Sequence, residues 1–279
     1  MKFLKGFLIH SILILVCFLC LLPFIWLTST AMKGASENIF AYPPIFFPES
    51  PTFANFKEVL KLVPILKYVI NSFIVAFFTV ILNLILSSLA AYPLARMEFK
   101  GKKTTFFAIL ATMMIPFQAI MLPIYIIVLK LNLTDNNGAF MGFLGLILPF
   151  AVNAFGIFLL RQAFLAIPRE LEESAIIDGC NYFQIFYKIL LPLISPSLAV
   201  LAIFTFIGSW GEFLWPSIVL TNDTLLTLPV GINNLSGAFS ANYRLIAAGS
   251  MISIIPILIF FISMQKYFIS GKTEGAVKG

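Results

Sequence analysis

PRELEESAIIDGCNYFQIFYKILLPLISP runs from Pro168 to Pro196. It places four carboxylates, Glu170, Glu172, Glu173 and Asp178, in a chain that is 60% hydrophobic and only 11% charged. Pro168 suits a first helical turn, where its missing N–H would be unpaired anyway. The three glutamates follow within the first turns, where they favour the helix dipole. Leu171, Ala175 and Asp178 share one side, and Ile176 and Ile177 add apolar surface. Gly179 supplies the left-handed conformation that ends helices. Asn181 with Gln184 three residues later reads as a capping box. Phe183, Phe186, Tyr187 and Leu190 give the second helix an apolar stripe. The stretch is therefore a helix, a glycine and a second helix, and Pro192 opens the apolar run that follows.

Apolar runs lie on both sides of it. The mean hydropathy of the 279 residues is +1.01, too apolar for a soluble surface of this size. A span needs about 20 mostly apolar residues. Six stretches qualify: Phe7–Thr30, Tyr68–Ala95, Thr105–Leu129, Phe140–Leu160, Pro192–Leu220 and Leu245–Gln265. The expected fold is all-α, a polytopic membrane protein with six transmembrane helices. The first run resembles a signal peptide, with Lys2 and Lys5 ahead of it, but exceeds the usual 7–15-residue apolar core. It is read as an uncleaved first helix. Two thirds of the 18 basic residues fall on the N-terminal side of the bilayer. The positive-inside rule then puts both termini and the 168–191 loop in the cytoplasm. That orientation accounts for the net charge of +6 without nucleic acid.

The expected domains are a first helix with a long outer loop (1–67), a five-helix core (68–265) with the loop 168–191, and a cytoplasmic tail (266–279). YPPIFFPESP in the first outer loop favours extended backbone, and Val59–Lys67 reads as a helix leading into the second span. Glu212 is the one acidic residue clearly inside a span. It reads either as a polar group on a solute path or as an interfacial acid flanked by Trp210 and Trp215 in an aromatic belt. Asn71, Asn83, Gln118 and Asn153 are the other polar candidates for such a path, and each alone also fits an interhelical hydrogen bond. Cys17 and Cys20 form C-x-x-C inside the first span. His10 is the only histidine, so metal ligands are too few.

The small residues Ser174, Ala175 and Gly179 let another body approach the 168–191 loop closely. A helix lying on lipid would need a basic polar face, and this one is acidic. A protein partner is the better reading. ELEESAIIDGC also closely resembles the EAA loop of permease subunits of bacterial ATP-binding-cassette importers. Glu173, Ser174, Ala175 and Gly179 occupy the pattern, Asp178 precedes the glycine, and Ile189, Pro192 and Pro196 fit its downstream part. AAYPLARMEFKG, MMIPFQAIMLPIY, WGEFLWP, TLPVG and QKYFISGKTEGAVKG are similar to the carbohydrate-uptake branch, the MalG type of subunit. Ser174 stands where that pattern has alanine, and Gly211 where the branch often has asparagine.

The resemblance implies a MetI-like permease of a bacterial cell membrane. It implies a second, MalF-type permease, two cytoplasmic ATPase subunits, and an extracytoplasmic solute-binding protein touching the outer loop Thr221–Tyr243. Glu173, Ser174, Ala175, Asp178 and Gly179 would couple to the ATPase. ATP and magnesium would sit on that partner, with no cofactor in this chain. SGKT at Ser270–Thr273 does not complete G-x-x-x-x-G-K-[ST], because Lys266 stands where the first glycine belongs, and it follows a span rather than a strand. GAFMG at Gly138–Gly142 is one edge match to G-x-x-x-G. A sugar is the expected solute. Another solute class, or an ion-coupled carrier built on Glu212, are the other readings.

Overall fold

Hydropathy alone does not decide where the helices of this chain stop: Pro23, Pro93, Pro123 and Pro256 lie inside helices, whereas Pro64, Pro116 and the Asn153 cap mark breaks. The computed structural model describes residues 2–235 and 242–270, which are mostly helical and contain no strand. The tail after Ser270, including the rejected phosphate-loop reading, lies outside the described residues, as does the centre of the loop Thr221–Tyr243. Two compact units are present, Met1–Leu66 with Pro229–Pro256, and Lys67–Leu228 with Ile257–Gly279.

In the first unit, helix α1 (Lys2–Met32) is an unbroken apolar rod. The proline-rich stretch after it carries no helix, as expected, and folds back on the helix end. Lys33 is only 1% exposed. Its Nζ donates to Ile45 O at 2.7 Å and lies 4.9 Å over the Trp26 ring. The Glu37 carboxylate accepts from the amides of Gly34, Glu49 and Ser50 at 3.0, 3.1 and 3.3 Å. Those bonds, the one from Gly34 first, hold its pKa below the ordinary glutamate value. Helix α2 (Ala54–Leu62) follows, and Asn55 donates to Ala31 O and Lys33 O at 2.8 and 2.9 Å. Pro64 separates it from the second span, so the expected lead-in helix is broken there.

The second unit holds the core. Helix α3 (Ile65–Arg96) contains the whole second span. The third span was expected to be continuous and is not. It consists of α4 (Lys102–Thr112) and α5 (Phe117–Lys130), with a break that ends at Pro116. Proline drives the residue before it, Ile115, out of helical geometry. The fourth span is also broken. Helix α6 (Ala139–Ile147) passes into a 3-10 turn at Leu148–Phe150, and α7 (Ala154–Ala166) restarts at a 54° angle. Asn153 caps the new start, its Oδ1 accepting from Gly156 N at 2.7 Å.

Helix α8 (Glu170–Ile177) forms the first part of the opening stretch. Helix α9 (Tyr182–Leu193) is α-helical at both ends and widens to a π-helix over Ile185–Leu190. It meets α10 (Ser195–Gly211) at 74°. Pro192 and Pro196 lie either side of that bend and remove two donors from the ladder. Helix α11 (Leu214–Val219) ends the fifth span. Helices α12 (Leu228–Asn233) and α13 (Tyr243–Ser270) complete the fold. Among the described residues, four helical stretches, Phe117–Asn137 one of them, are long and apolar enough to cross a membrane, and up to six spans result if each bent pair is one.

Close packing explains the glycines of α6. A Cβ on Gly145 would lie 2.1 Å from Leu133 O, and one on Gly142 would meet Asp135 at 3.0 Å. Of the G-x-x-x-G match, then, Gly142 packs on a turn within this chain, whereas a Cβ on Gly138, at φ +106°, would meet nothing within 4 Å. One core cluster of the second unit includes Ala91, Tyr92, Leu160, Phe164, Ile185 and Leu190, all buried.

Candidate functional site

Two regions of the second unit gather the polar chemistry. The first is the 168–191 loop. Helix α8 ends as its sequence dictates. Cys180 N donates to Ala175 O at 2.9 Å and Gly179 N to Ile176 O at 3.0 Å, with Gly179 at φ +85°. This 6→1 and 5→2 pair is a Schellman cap. A Cβ on Gly179 would meet nothing within 4 Å, so the glycine is needed for its dihedral and not for space. The capping box is formed in both directions, Asn181 Oδ1 with Gln184 N and Gln184 Oε1 with Asn181 N, each at 2.9 Å.

The two sides of α8 differ. Glu173, Ser174, Asp178 and Gly179 are exposed, and so are Leu171, Ile176, Ile177, Tyr182, Phe183 and Tyr187. Ser174 Oγ is turned back onto Glu170 O. Ala175 is 5% exposed and belongs to the core of this chain. Of the five predicted coupling residues, then, four face outward and one faces the membrane unit. Glu172 faces the same way as Ala175, three positions earlier. Its carboxylate lies 2.9 Å from Arg96 Nε, a charge contact without the alignment of a hydrogen bond. The sequence reading omitted this pair. The only hint of it was Arg96 within AAYPLARMEFKG, followed 76 positions later by a glutamate on the same side of α8 as Ala175.

The second region is a cavity of ≈ 200 Å³ where two helix breaks converge. The break before α7 supplies Phe150 and Asn153, and the break between α10 and α11 supplies Ser209, Glu212 and Trp215. Thr79 of α3 adds a hydroxyl and Phe204 a ring. Glu212 is half-buried and ends α10 in extended geometry at ψ 123°. One carboxylate oxygen accepts from Trp215 N at 3.1 Å, an amide in the first turn of the next helix. Trp215 Nε1 donates to Gly145 O at 3.1 Å.

The expected aromatic belt around Glu212 is absent. Trp210 and Trp215 are 1% and 0% exposed. The reason is the break itself, which turns both rings inward, Trp210 onto Phe206 at 5.6 Å and Trp215 onto Phe117 at 5.7 Å. The other candidates fall differently. Asn153 and Glu212 line the cavity. Asn83 is fully buried beside it, donating to Phe150 O at 3.3 Å and accepting from Ser87 Oγ at 3.2 Å. Asn71 donates to Thr224 O and Leu226 O at 3.2 and 3.0 Å, and Gln118 is exposed on the first turn of α5.

Asn71 belongs to a clasp at the opposite end from α8. Ser72 Oγ accepts from Leu228 N at 2.7 Å. Buried Asp135 accepts from Thr221 N and Asn222 N at 2.7 and 2.6 Å. Segment 221–228 is thereby tied to α3 and to the turn before α6.

Residues 83–272 match the model of the binding-protein-dependent transport system inner membrane component. The chain belongs to that family. This inner membrane component is 40% identical over 213 residues to the arabinooligosaccharides transport system permease protein AraQ of Bacillus subtilis (strain 168), covering 76% of this chain and 74% of that protein. It is 33% identical to the diacetylchitobiose uptake system permease protein DasC of Streptomyces coelicolor, covering 92% and 91%. Among solved structures it superposes on a chain of a bacterial ABC transporter involved in the import of the acidic polysaccharide alginate. There the TM-score is 0.80, the identity 26%, and the coverage 95% and 96%. The family consists of transport components rather than enzymes. It agrees with the all-α permease fold and with the importer resemblance of the opening stretch.

Proposed function

We propose that this inner membrane component is the permease of a sugar importer, and that its solute path runs through the cavity of Asn153 and Glu212. The carrying observation is the convergence of two broken helices on one cavity. Irregular backbone in a membrane protein is tolerated where it lines a cavity or is buried in protein, and discontinuous helices build transporter sites. The lining is two-faced, with Thr79, Asn153, Ser209 and Glu212 against Phe150, Phe204 and Trp215. Such a mixture suits a sugar, whose hydroxyl edge needs hydrogen bonds and whose ring face stacks on aromatics. The relatives named for arabinooligosaccharides and diacetylchitobiose support the same class.

The other parts of the reading follow. The exposed side of α8 docks an ATPase subunit, with Glu173 and Asp178 toward its basic groove and Leu171, Ile176 and Ile177 as apolar anchors. A second, MalF-type permease and a second ATPase subunit complete the complex, and a solute-binding protein delivers from outside. ATP and magnesium are held by the ATPase subunits. Both termini and α8 face the cytoplasm. The test is uptake of labelled sugars, amino acids and polyols by cells with and without the chain. Loss of uptake for one sugar, restored by the intact chain and not by Gly179→Leu, is the expected result. Loss for a non-sugar solute alone would keep the importer and overturn the sugar.

A further inference from the structure

We infer that Arg96 is the joint through which α8 moves the membrane helices, and that Glu172 is the positioning residue that fastens α8 to it. The inference rests on the importer reading above. Arg96 is the last residue of α3, and its side chain is 5% exposed. Its Nη2 donates to Phe164 O and Ile167 O, both at 2.6 Å. These are carbonyls at the end of α7, where Phe164 O also accepts from Ile167 N at 3.1 Å. Arg161 reciprocates from α7, donating through Nε to Leu94 O at 3.0 Å near the end of α3. Its guanidinium carbon also lies 4.0 Å from the centre of the Phe106 ring of α4. Each arginine thus caps the other's helix. Tyr92 fills the angle between them, 5.8 Å from Phe164 and 5.1 Å from Phe186. The ends of α3, α4 and α7 form one block.

Helix α8 joins this block at two points on its inner side, the buried Ala175 and the carboxylate of Glu172 on Arg96. The connection from α7 to α8 passes through Ile167, whose carbonyl the same guanidinium holds. Arg96 therefore grips both the hinge and the helix beyond it. A push on the outer side of α8 cannot swing the helix on its tether. It must move α3 and α7, and α3 and α7 both contribute to the cavity through Thr79 and the Asn153 cap. The planar fork of arginine can serve these acceptors together. A lysine at this position would keep the charge and lose the fork.

The experiment uses the full complex in membranes with its ATPase and binding protein. Ser209→Cys is the reporter in the cavity, with Cys17, Cys20 and Cys180 replaced by alanine. The rate of labelling by a soluble maleimide is measured with and without ATP plus vanadate. With Arg96 and Glu172 intact, the nucleotide changes the labelling rate. With Glu172→Ala the ATPase still co-purifies and the nucleotide-dependent change shrinks about tenfold, the size of a typical coupling between sites. Arg96→Lys gives the same loss. A full nucleotide effect in assembled Glu172→Ala overturns the joint. Loss of ATPase co-purification in Glu172→Ala would place Glu172 in the docking face and overturn it as well. A reporter with Arg96 and Glu172 intact that ignores the nucleotide would instead refute the importer reading on which the joint depends.

Discussion

The 168–191 loop and the Asn153–Glu212 cavity are built by opposite means. In the loop, the helix stop and the caps are set by neighbours within six residues. Gly179 ends α8 through the carbonyls of Ala175 and Ile176, and Asn181 and Gln184 cap each other. In the cavity, the shaping contacts come from far along the chain. Trp215 bonds Gly145, Asn83 bonds Phe150, and Thr79 and Glu212 line the same space. The first region is a local code and the second a product of assembly. Loss of a cap in the loop should therefore destabilise locally, whereas damage to the cavity wall should unsettle the whole unit.

Trp215→Ala should break this contrast most visibly if it is mistaken. The ring is fully buried, and its removal should cost roughly 3–5 kcal/mol of stability. Thermal unfolding of the detergent-solubilised protein checks this. A shift no larger than for a surface change would show that the cavity wall repacks. Next comes Glu212→Gln, which keeps the acceptor for Trp215 N while removing the charge. Uptake should fall by about tenfold or more, as when a charged hydrogen bond worth ~1.5–3 kcal/mol is lost, with unfolding little changed. Equal losses of uptake and stability would make Glu212 a cap alone.

On the loop side the stability effects should be smaller. Gly179→Leu forces an L side chain to φ +85°, at about 1–2 kcal/mol. Uptake should be lost while membrane insertion, measured by fractionation, is kept. Asn181→Ala should remove about 1 kcal/mol from the start of α9. Amide exchange at Gln184 should rise without faster exchange in α10.

The smallest effect concerns the first unit. The lowered pKa of Glu37 means its bonds stabilise the folded 34–50 segment above the ordinary glutamate range. That contribution is lost as pH falls through the lowered value. Exchange at the Glu49 and Ser50 amides should accelerate in acid, and Glu37→Gln should remove the pH dependence.

The same division governs what was legible in the sequence. The opening stretch gave its helix, its glycine stop and its capping box, because each is a short-range rule. The six spans were legible as apolar runs, but three of them are broken. Pro116, Asn153 and Pro196 were visible, yet a proline or asparagine inside an apolar run does not announce whether the helix bends or stops. Trp210 and Trp215 look like an interfacial belt in one dimension and are buried in three. The Arg96–Glu172 contact is 76 residues long, and no periodicity reaches that far.

The clasp at the other end of the second unit carries a consequence for divergence. Asp135, Asn71 and Ser72 fix the chain up to Leu228. An insertion or a new surface placed after that point would not disturb the clasp. A relative could therefore carry a remodelled stretch just after Leu228 while inheriting the segment Lys67–Leu228 unchanged.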